Sequence, residues 1–426
     1  MIKHKQEYLQ ILKEELVPAM GCTEPIAIAY ACAKAKEVLA AMPASMIVKC
    51  SGNIIKNAKC VTVPNTGHLV GIEASAIIGV VAGEPSKKLE VINTVSDEHI
   101  KTTKSLLGTD FCKVELLESK IPLHIQIIVT NQEHSAFVEI QGTHTNITKI
   151  IKDDEVIFET QTDHTKYLGA LTDRSILNIK DIYEFASTIE IEEVKELLDR
   201  QIEYNMAIAK EGLKGNYGVG IGKMLLEAYP CQDALTQMKA YTASASEARM
   251  SGCSLPVVTN SGSGNQGITS SVPVIVYASY HHLSKEKLYR GLVFSNLVTI
   301  HQKTQIGRLS AFCGAVSAGC SAGATVTYLC NGSLEQINMT IQNTLANIPG
   351  IVCDGAKASC AAKIATSIDA SMMAHYLAMQ NCSYNCDDGI LKHSIENTIY
   401  AVGRLGKLGM KETDHEILEI MLEKEI

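Results

Sequence analysis

Residues Gly252–His282, "GCSLPVVTNSGSGNQGITSSVPVIVYASYHH", contain no Asp, Glu, Lys or Arg. A helix that faces water carries charge on one side, whereas one that is apolar or small all round lies at the centre of a core. The stretch reads as a loop, Thr259–Gly267, feeding the helical run "ITSSVPVIVYASY". It therefore predicts a helical body assembled around a buried, uncharged helix.

The chain on either side agrees. Upstream, "IEIEEVKELLDRQIEYNMAIAKEGL" has the apolar period of a long amphipathic helix. Downstream, Leu309–Leu334 carries no charge and is about long enough to cross a bilayer. It is rich in Ser, Gly, Cys and Thr and poor in large aliphatic residues, which suits a buried helix and gives no reason to expect a membrane.

Nearer the N-terminus, Tyr8, Ile11, Leu12 and Leu16 repeat at helical spacing until Pro18. A second helix, "PIAIAYACAKAKEVLAA", follows the loop "AMGCTE". From Met46 the texture changes. "MIVKC", "KCVTV", "KLEVI", "PLHIQIIVT", "SAFVEIQG" and "EVIFET" are short, β-branched and bounded by turn residues, so they read as strands. One helix, "HLVGIEASAIIGVVAG", interrupts them. The expected architecture is α+β: a predominantly helical domain of residues 1–45 and 166–426, with an α+β domain of short strands inserted at 46–165.

Composition narrows the function. Net charge is -8 with a pI of about 5.9, which argues against nucleic acid as a partner. Hydrophobic residues make up 46% and charged residues 20%, as in a globular protein with a sizeable interior. The opening segment is charged and amphipathic, without the apolar centre of a signal peptide. A cytoplasmic location is expected, where the fourteen cysteines stay reduced and metal or catalytic roles outrank disulfides.

Three places could carry chemistry. In "GCTEP", Cys22 stands just before a helix start, where the dipole and free N–H groups favour a thiolate and hence a nucleophile or general base. The loop Thr259–Gly267, with Ser261, Gly262 and Asn265, offers donors suited to a carboxylate or phosphate; "PNTG", with Asn65 and Thr66, is a weaker candidate. In "IVCDGAKASCA", Cys353 and Cys360 are seven residues apart, about 10 Å along a straight helix, but Asp354–Gly355 supplies a break that lets both sit at a helix entrance. Cys313 and Cys320 share that interval, and Cys382 and Cys386 are four apart. No zinc-finger spacing occurs, and spacing alone does not choose among these thiols.

Together "GCTEP", "NSGSGNQG", "FCGA" and "CDGAKASC" resemble the iron–sulfur L-cysteine desulfidases, relatives of the α-chain of iron–sulfur L-serine dehydratase. The likeness runs over essentially the whole chain; the more distant one to serine dehydratase covers mainly the helical part. It implies a [4Fe–4S] cluster held by Cys313, Cys353 and Cys360 with one open iron, and Cys22 as the base. It also implies a small amino-acid substrate, L-cysteine, converted to pyruvate, ammonia and H₂S, and by analogy a homodimer. The Ser261, Gly262 and Asn265 loop is expected to hold the substrate carboxylate. The chain's final "EIMLEKEI" lacks the terminal cysteine that can fill the fourth iron site in serine dehydratases. Rival readings are a serine dehydratase, a non-enzymatic cluster or zinc protein, and a pyridoxal-phosphate lyase, against which no lysine stands out as Schiff-base partner.

Overall fold

The computed structural model describes residues 4–160 and 171–423. The expected domain junction at 165/166 and the last residues of the C-terminal tail lie outside them. The helices are α1 (Lys5–Glu15), α2 (Thr23–Leu39), α3 (Gly52–Ala58), α4 (Gly71–Ala82), α5 (Asp97–Leu106), α6 (Ile179–Thr188), α7 (Lys195–Lys214) and α8 (Ile221–Ala228). They continue with α9 (Ala234–Met250), α10 (Gly264–Tyr280), α11 (Lys285–Ile306), α12 (Gly314–Leu329), α13 (Leu334–Asn347), α14 (Cys360–Met379), α15 (Ile395–Arg404) and α16 (Lys411–Leu422). The strands are β1 (Pro18–Met20), β2 (Ser45–Cys50), β3 (Cys112–Leu116), β4 (His124–Thr130), β5 (Ser135–Gln141), β6 (Ile147–Lys152), β7 (Glu155–Glu159) and β8 (Pro256–Val258). The fold is α+β with a helical bulk, as the uncharged stretch predicts.

The uncharged helix is central. In α10 every residue from Gln266 to Val276 is buried, and in α12 every residue from Ala315 to Thr327. Both belong to the larger core, with α1, α6, α7, α9, α11, α13 and α14 contributing to it. No helix among the described residues is long and apolar enough to cross a membrane.

A second core lies beneath a sheet of order β3-β2-β4-β5-β6-β7, antiparallel except for the parallel pair β2–β3. Alternation drives it: Val48 and Ile127 pair across β2–β4 with both side chains buried. α2 and α4 cover that face, so α2 lies in the second core while α1 lies in the first. The sequence reading kept those two helices together. Two of its strands are corrected: "KCVTV" makes only the isolated bridge Thr62–Val70, and "KLEVI" falls in a 3₁₀ turn kinked at Lys88 (φ 49°). There Val91 and Ile92 reach the core from a turn. β3, β6, α3 and α5 were not foreseen. α5 did carry a signal, Ser96 as its N-cap with Asp97 and Glu98 in the first turn.

Candidate metal and catalytic centre

Cys313 caps α12 and Cys360 opens α14, so both thiols sit at helix N-termini. Cys353 comes from the loop ahead of α14. Backbone pairing fixes the two loops to each other: Cys353 N–H donates to Ala311 O at 2.6 Å and Cys313 N–H to Ile351 O at 3.1 Å. The chain turns at Gly355 with φ +100°, where a Cβ would stand 2.3 Å from the Lys56 carbonyl oxygen. The break expected at Asp354–Gly355 is therefore present and requires glycine. Below it, α12 and α14 touch through small residues. A Cβ at Gly319 would lie 2.8 Å from Ser367 Cβ, and one at Gly323 would lie 2.6 Å from Ser371 Cβ.

The expectation that helix entrances favour thiolate here is corrected. Burial pushes the Cys313 thiol up to about 12, with the neighbouring Cys353 adding to it, and burial likewise raises Cys360. Desolvation outweighs the dipole in the free chain. Burial thus disfavours both thiolates, and positive charge brought to the site offsets that cost. Positive side chains are also at hand. Lys303 is buried beside Cys353 and Cys313, and burial lowers it to about 8; Lys363 pairs with Asp354 next to Cys360.

The three sulfurs are not all within 4.8 Å of one another. A single tetrahedral ion about 2.3 Å from each would draw them to within roughly 3.8 Å. The three side chains offer an all-sulfur donor set, the ligand type that iron–sulfur groups take. Cys320 is fully buried in α12 and belongs to the core. Cys382 and Cys386 are exposed. Cys386 does lie near Asp387 and His393, but Asp387 there forms surface ion pairs with His393 at 3.6 Å and Lys392 at 4.0 Å.

Cys22 reaches the same place from the other side. The short pair β1–β8 aligns Pro18–Met20 with Pro256–Val258, which brings "GCTEP" beside the 259–267 loop. Gly21 (φ +57°) makes the turn against Pro64, where a Cβ would be 2.7 Å from the proline Cγ. Cys22 then stands immediately before α2, as the sequence predicts, although the helix already includes Thr23, the residue expected to cap it. Its ionisation is not as predicted. Burial and the Glu24 charge push the thiol well above its usual range, with Arg249 drawing it back in part. Cys22 Sγ donates to Glu24 Oε2 at 3.0 Å. Asn57 Nδ2 donates to Glu24 Oε1 at 3.1 Å, and His144 Nε2 stands 3.7 Å from the same oxygen, in ion-pair range and beyond hydrogen-bond range. Burial would raise the Glu24 carboxyl, yet His144 and Cys22 hold it down at about 2.

The glycine loop is tighter than the cradle expected. Asn260 and Ser263 exchange backbone hydrogen bonds of 3.1 and 3.0 Å around Ser261 (φ 51°) and Gly262 (φ 78°). Two consecutive left-handed residues make this a hairpin-type turn. The Ser261 hydroxyl donates to Asn260 Oδ1 at 2.8 Å, and Asn265 Oδ1 accepts from Arg249 Nη1 at 3.1 Å. Thr23 Oγ1 reaches the Gly262 carbonyl oxygen at 3.2 Å and so ties the turn to the start of α2.

Cys22, Ser261, Gly262, Asn265, Cys313, Cys353 and Cys360 all line one cavity of ≈ 100 Å³. The N-terminal ends of α2, α10, α12 and α14 meet there. Asn65 and Thr66 do not line it. Thr66 Oγ1 donates to Val63 O at 2.6 Å and Asn65 Nδ2 to Ile92 O at 3.2 Å, so "PNTG" is a structural turn that braces Gly21 through Pro64. Sequence reasoning missed Glu24, His144, Arg249, Lys303 and Arg308, which also line the cavity. Glu24 was visible inside "GCTEP", and Arg249 as the last charge before the uncharged stretch. His144, from the turn after β5, gave no signal. A larger cavity of ≈ 440 Å³ lies between α6, α11 and the end of α12. Its Arg290 is already engaged by Glu286 and the carbonyl oxygens of Ala186 and Ile189.

The profile of the family described as "Serine dehydratase alpha chain" matches residues 86–419, a span that includes all three clustered cysteines and the glycine loop. The chain belongs to the serine dehydratase alpha chain family. The family match takes in the strands from β3 onward, more than the helical part expected to carry it, and leaves out Cys22. The chain is also similar to UPF0597 proteins. It is 52% identical to one of Lachnoclostridium phytofermentans over 98% of this chain and 99% of that one. Identity to a UPF0597 protein of Desulfitobacterium hafniense is 51% over 99% and 97%, and to one of Treponema denticola 48% over 99% and 98%.

Proposed function

We propose that this chain is an iron–sulfur lyase that removes the β-substituent of a small L-amino acid, with L-cysteine as substrate and H₂S, pyruvate and ammonia as products. The observation that carries the reading is the meeting of Cys22, at the start of α2, with Cys313, Cys353 and Cys360, at the starts of α12 and α14, in one cavity. Cys313, Cys353 and Cys360 would hold a [4Fe–4S] cluster, with Lys303 and the entrances of α12 and α14 offsetting its negative charge. When bound, that cluster supplies a Lewis-acidic iron open to the leaving sulfur of the substrate.

The chain's own residues do the rest. Cys22, once its thiol proton has been lost to solvent, takes the proton from the substrate Cα as the thiolate. The electron pair left behind forms the Cα–Cβ double bond as the Cβ–S bond breaks, and sulfur departs with its pair as hydrosulfide. The 2-aminoacrylate released tautomerises and is hydrolysed by water to pyruvate and ammonia. Glu24 receives the hydrogen bond of the Cys22 thiol before reaction, and the thiol's raised affinity for protons makes its conjugate base a strong one.

The same site could expel hydroxide from L-serine, and the family's description favours that second reading. Anaerobic reconstitution with iron and sulfide, followed by parallel assays on L-cysteine and L-serine, separates the two. Sulfide release from L-cysteine with three thiol ligands retained is the expected result. Pyruvate from L-serine alone sinks the desulfidase reading.

A further inference from the structure

Arg249, at the end of α9, is 2% exposed, lines the cavity, and has Asn265 Oδ1 as the partner of its Nη1. Its Nε has no hydrogen-bond partner, and among the described residues no carboxylate lies within ion-pair distance of it. A guanidinium buried without a counter-charge is costly and implies that an anion arrives. The other cations of the cavity are engaged elsewhere. Arg308 pairs with Glu15 at 2.9 Å, while Lys303 faces the cysteine end.

The place of Arg249 points the same way. Gly264 opens α10, and a Cβ there would stand 2.3 Å from Arg249 Nε, so the guanidinium lies against the first turn of that helix. Positive charge at a helix N-terminus is unfavourable unless an anion joins both. Cys22 is near enough to feel the Arg249 charge.

We infer that Arg249 anchors the α-carboxylate of the amino-acid substrate, held jointly with the N-terminal turn of α10. A carboxylate there sets the adjacent Cα beside Cys22 and leaves Cβ to extend toward the three cysteines. This deepens the lyase reading and rests on it. It also defines the ligand class: α-amino acids with a free carboxylate, and not their amides or esters.

The test is equilibrium binding to the anaerobically loaded protein, by calorimetry, of L-alanine and L-alaninamide. Neither probe has a leaving group, so no turnover occurs, and a chain that acts on L-serine alone gives the same result as one that acts on L-cysteine. The wild type should prefer L-alanine by about tenfold or more, consistent with a charge-assisted bidentate contact. Arg249→Met should bring the ratio near one with iron content unchanged. Arg249→Lys should lower it several-fold, because a point charge does not replace the fork. Equal or absent binding of the two probes by the wild type overturns the assignment. So does a wild-type ratio in Arg249→Lys, an arm that stands even where the Met variant fails to fold. Loss of iron from Arg249→Met with the preference kept overturns it too and assigns Arg249 to the cluster.

Discussion

At the scale of single residues, Cys22 is the most exposed to experiment. Cys22→Ala should lower turnover by roughly 10²–10⁴-fold while the iron content of the loaded protein stays at the wild-type value. Loss of iron would make Cys22 a ligand. The pH profile follows from its surroundings. Burial and then the Glu24 charge raise the thiol, so the thiolate fraction grows as pH rises and kcat/KM should climb on the alkaline side. Glu24→Gln removes the negative charge but not the burial. The thiol pKa then falls, and the climb should move to lower pH. An unmoved profile would mean that Cys22 is not the titrating base.

At the scale of elements, the spacing of two of the proposed ligands is set by two helices pressed together. Gly319 and Gly323 lie one turn apart on α12 and meet Ser367 and Ser371, one turn apart on α14. Cys313 and Cys360 stand at the starts of these same helices, so their separation depends on that contact. Gly323→Leu should cost about 1–3 kcal/mol by overpacking, read as a lower Tm. It should also reduce iron retained per chain after gel filtration, whereas Ser333→Ala, which removes the exposed cap of α13, should lower Tm without touching iron. Gly79 does the same for the base: a Cβ there would lie 2.4 Å from the Ala29 carbonyl oxygen, so Gly79→Ala should push α4 off α2 and disturb Cys22 at its start. That variant should lose turnover while keeping iron.

At the scale of the whole molecule, the central uncharged helices were legible because a long stretch without charge but rich in small residues suits a buried helix and not a bilayer span. The strands with clean alternation, β2, β4 and β5, were legible for a similar reason. "KLEVI" misled because β-branched residues can bury from a turn as well as from a strand. In the site, the cysteines and the glycine loop stood out by residue type. Their ionisation did not, because burial is a property of the finished fold and reversed the sign expected from helix position alone. His144 reaches the cavity from the sheet side across more than a hundred residues of sequence from the loop it faces, a contact no local pattern encodes.

The cavity lies on the seam between the two cores. Cys22 opens α2 on one side of it, and Cys313, Cys353 and Cys360 lie on the other. Lys56 of α3 crosses the seam to the Cys353 carbonyl oxygen at 3.1 Å. Whatever fills this cavity is therefore a mortar between two masses, each of which is expected to melt as its own transition without it. Loading by iron and then by an unreactive amino acid should raise Tm with ligand concentration and fuse two calorimetric transitions into one. Occupancy of the active centre would then be readable from the cooperativity of heat denaturation, without any assay of turnover.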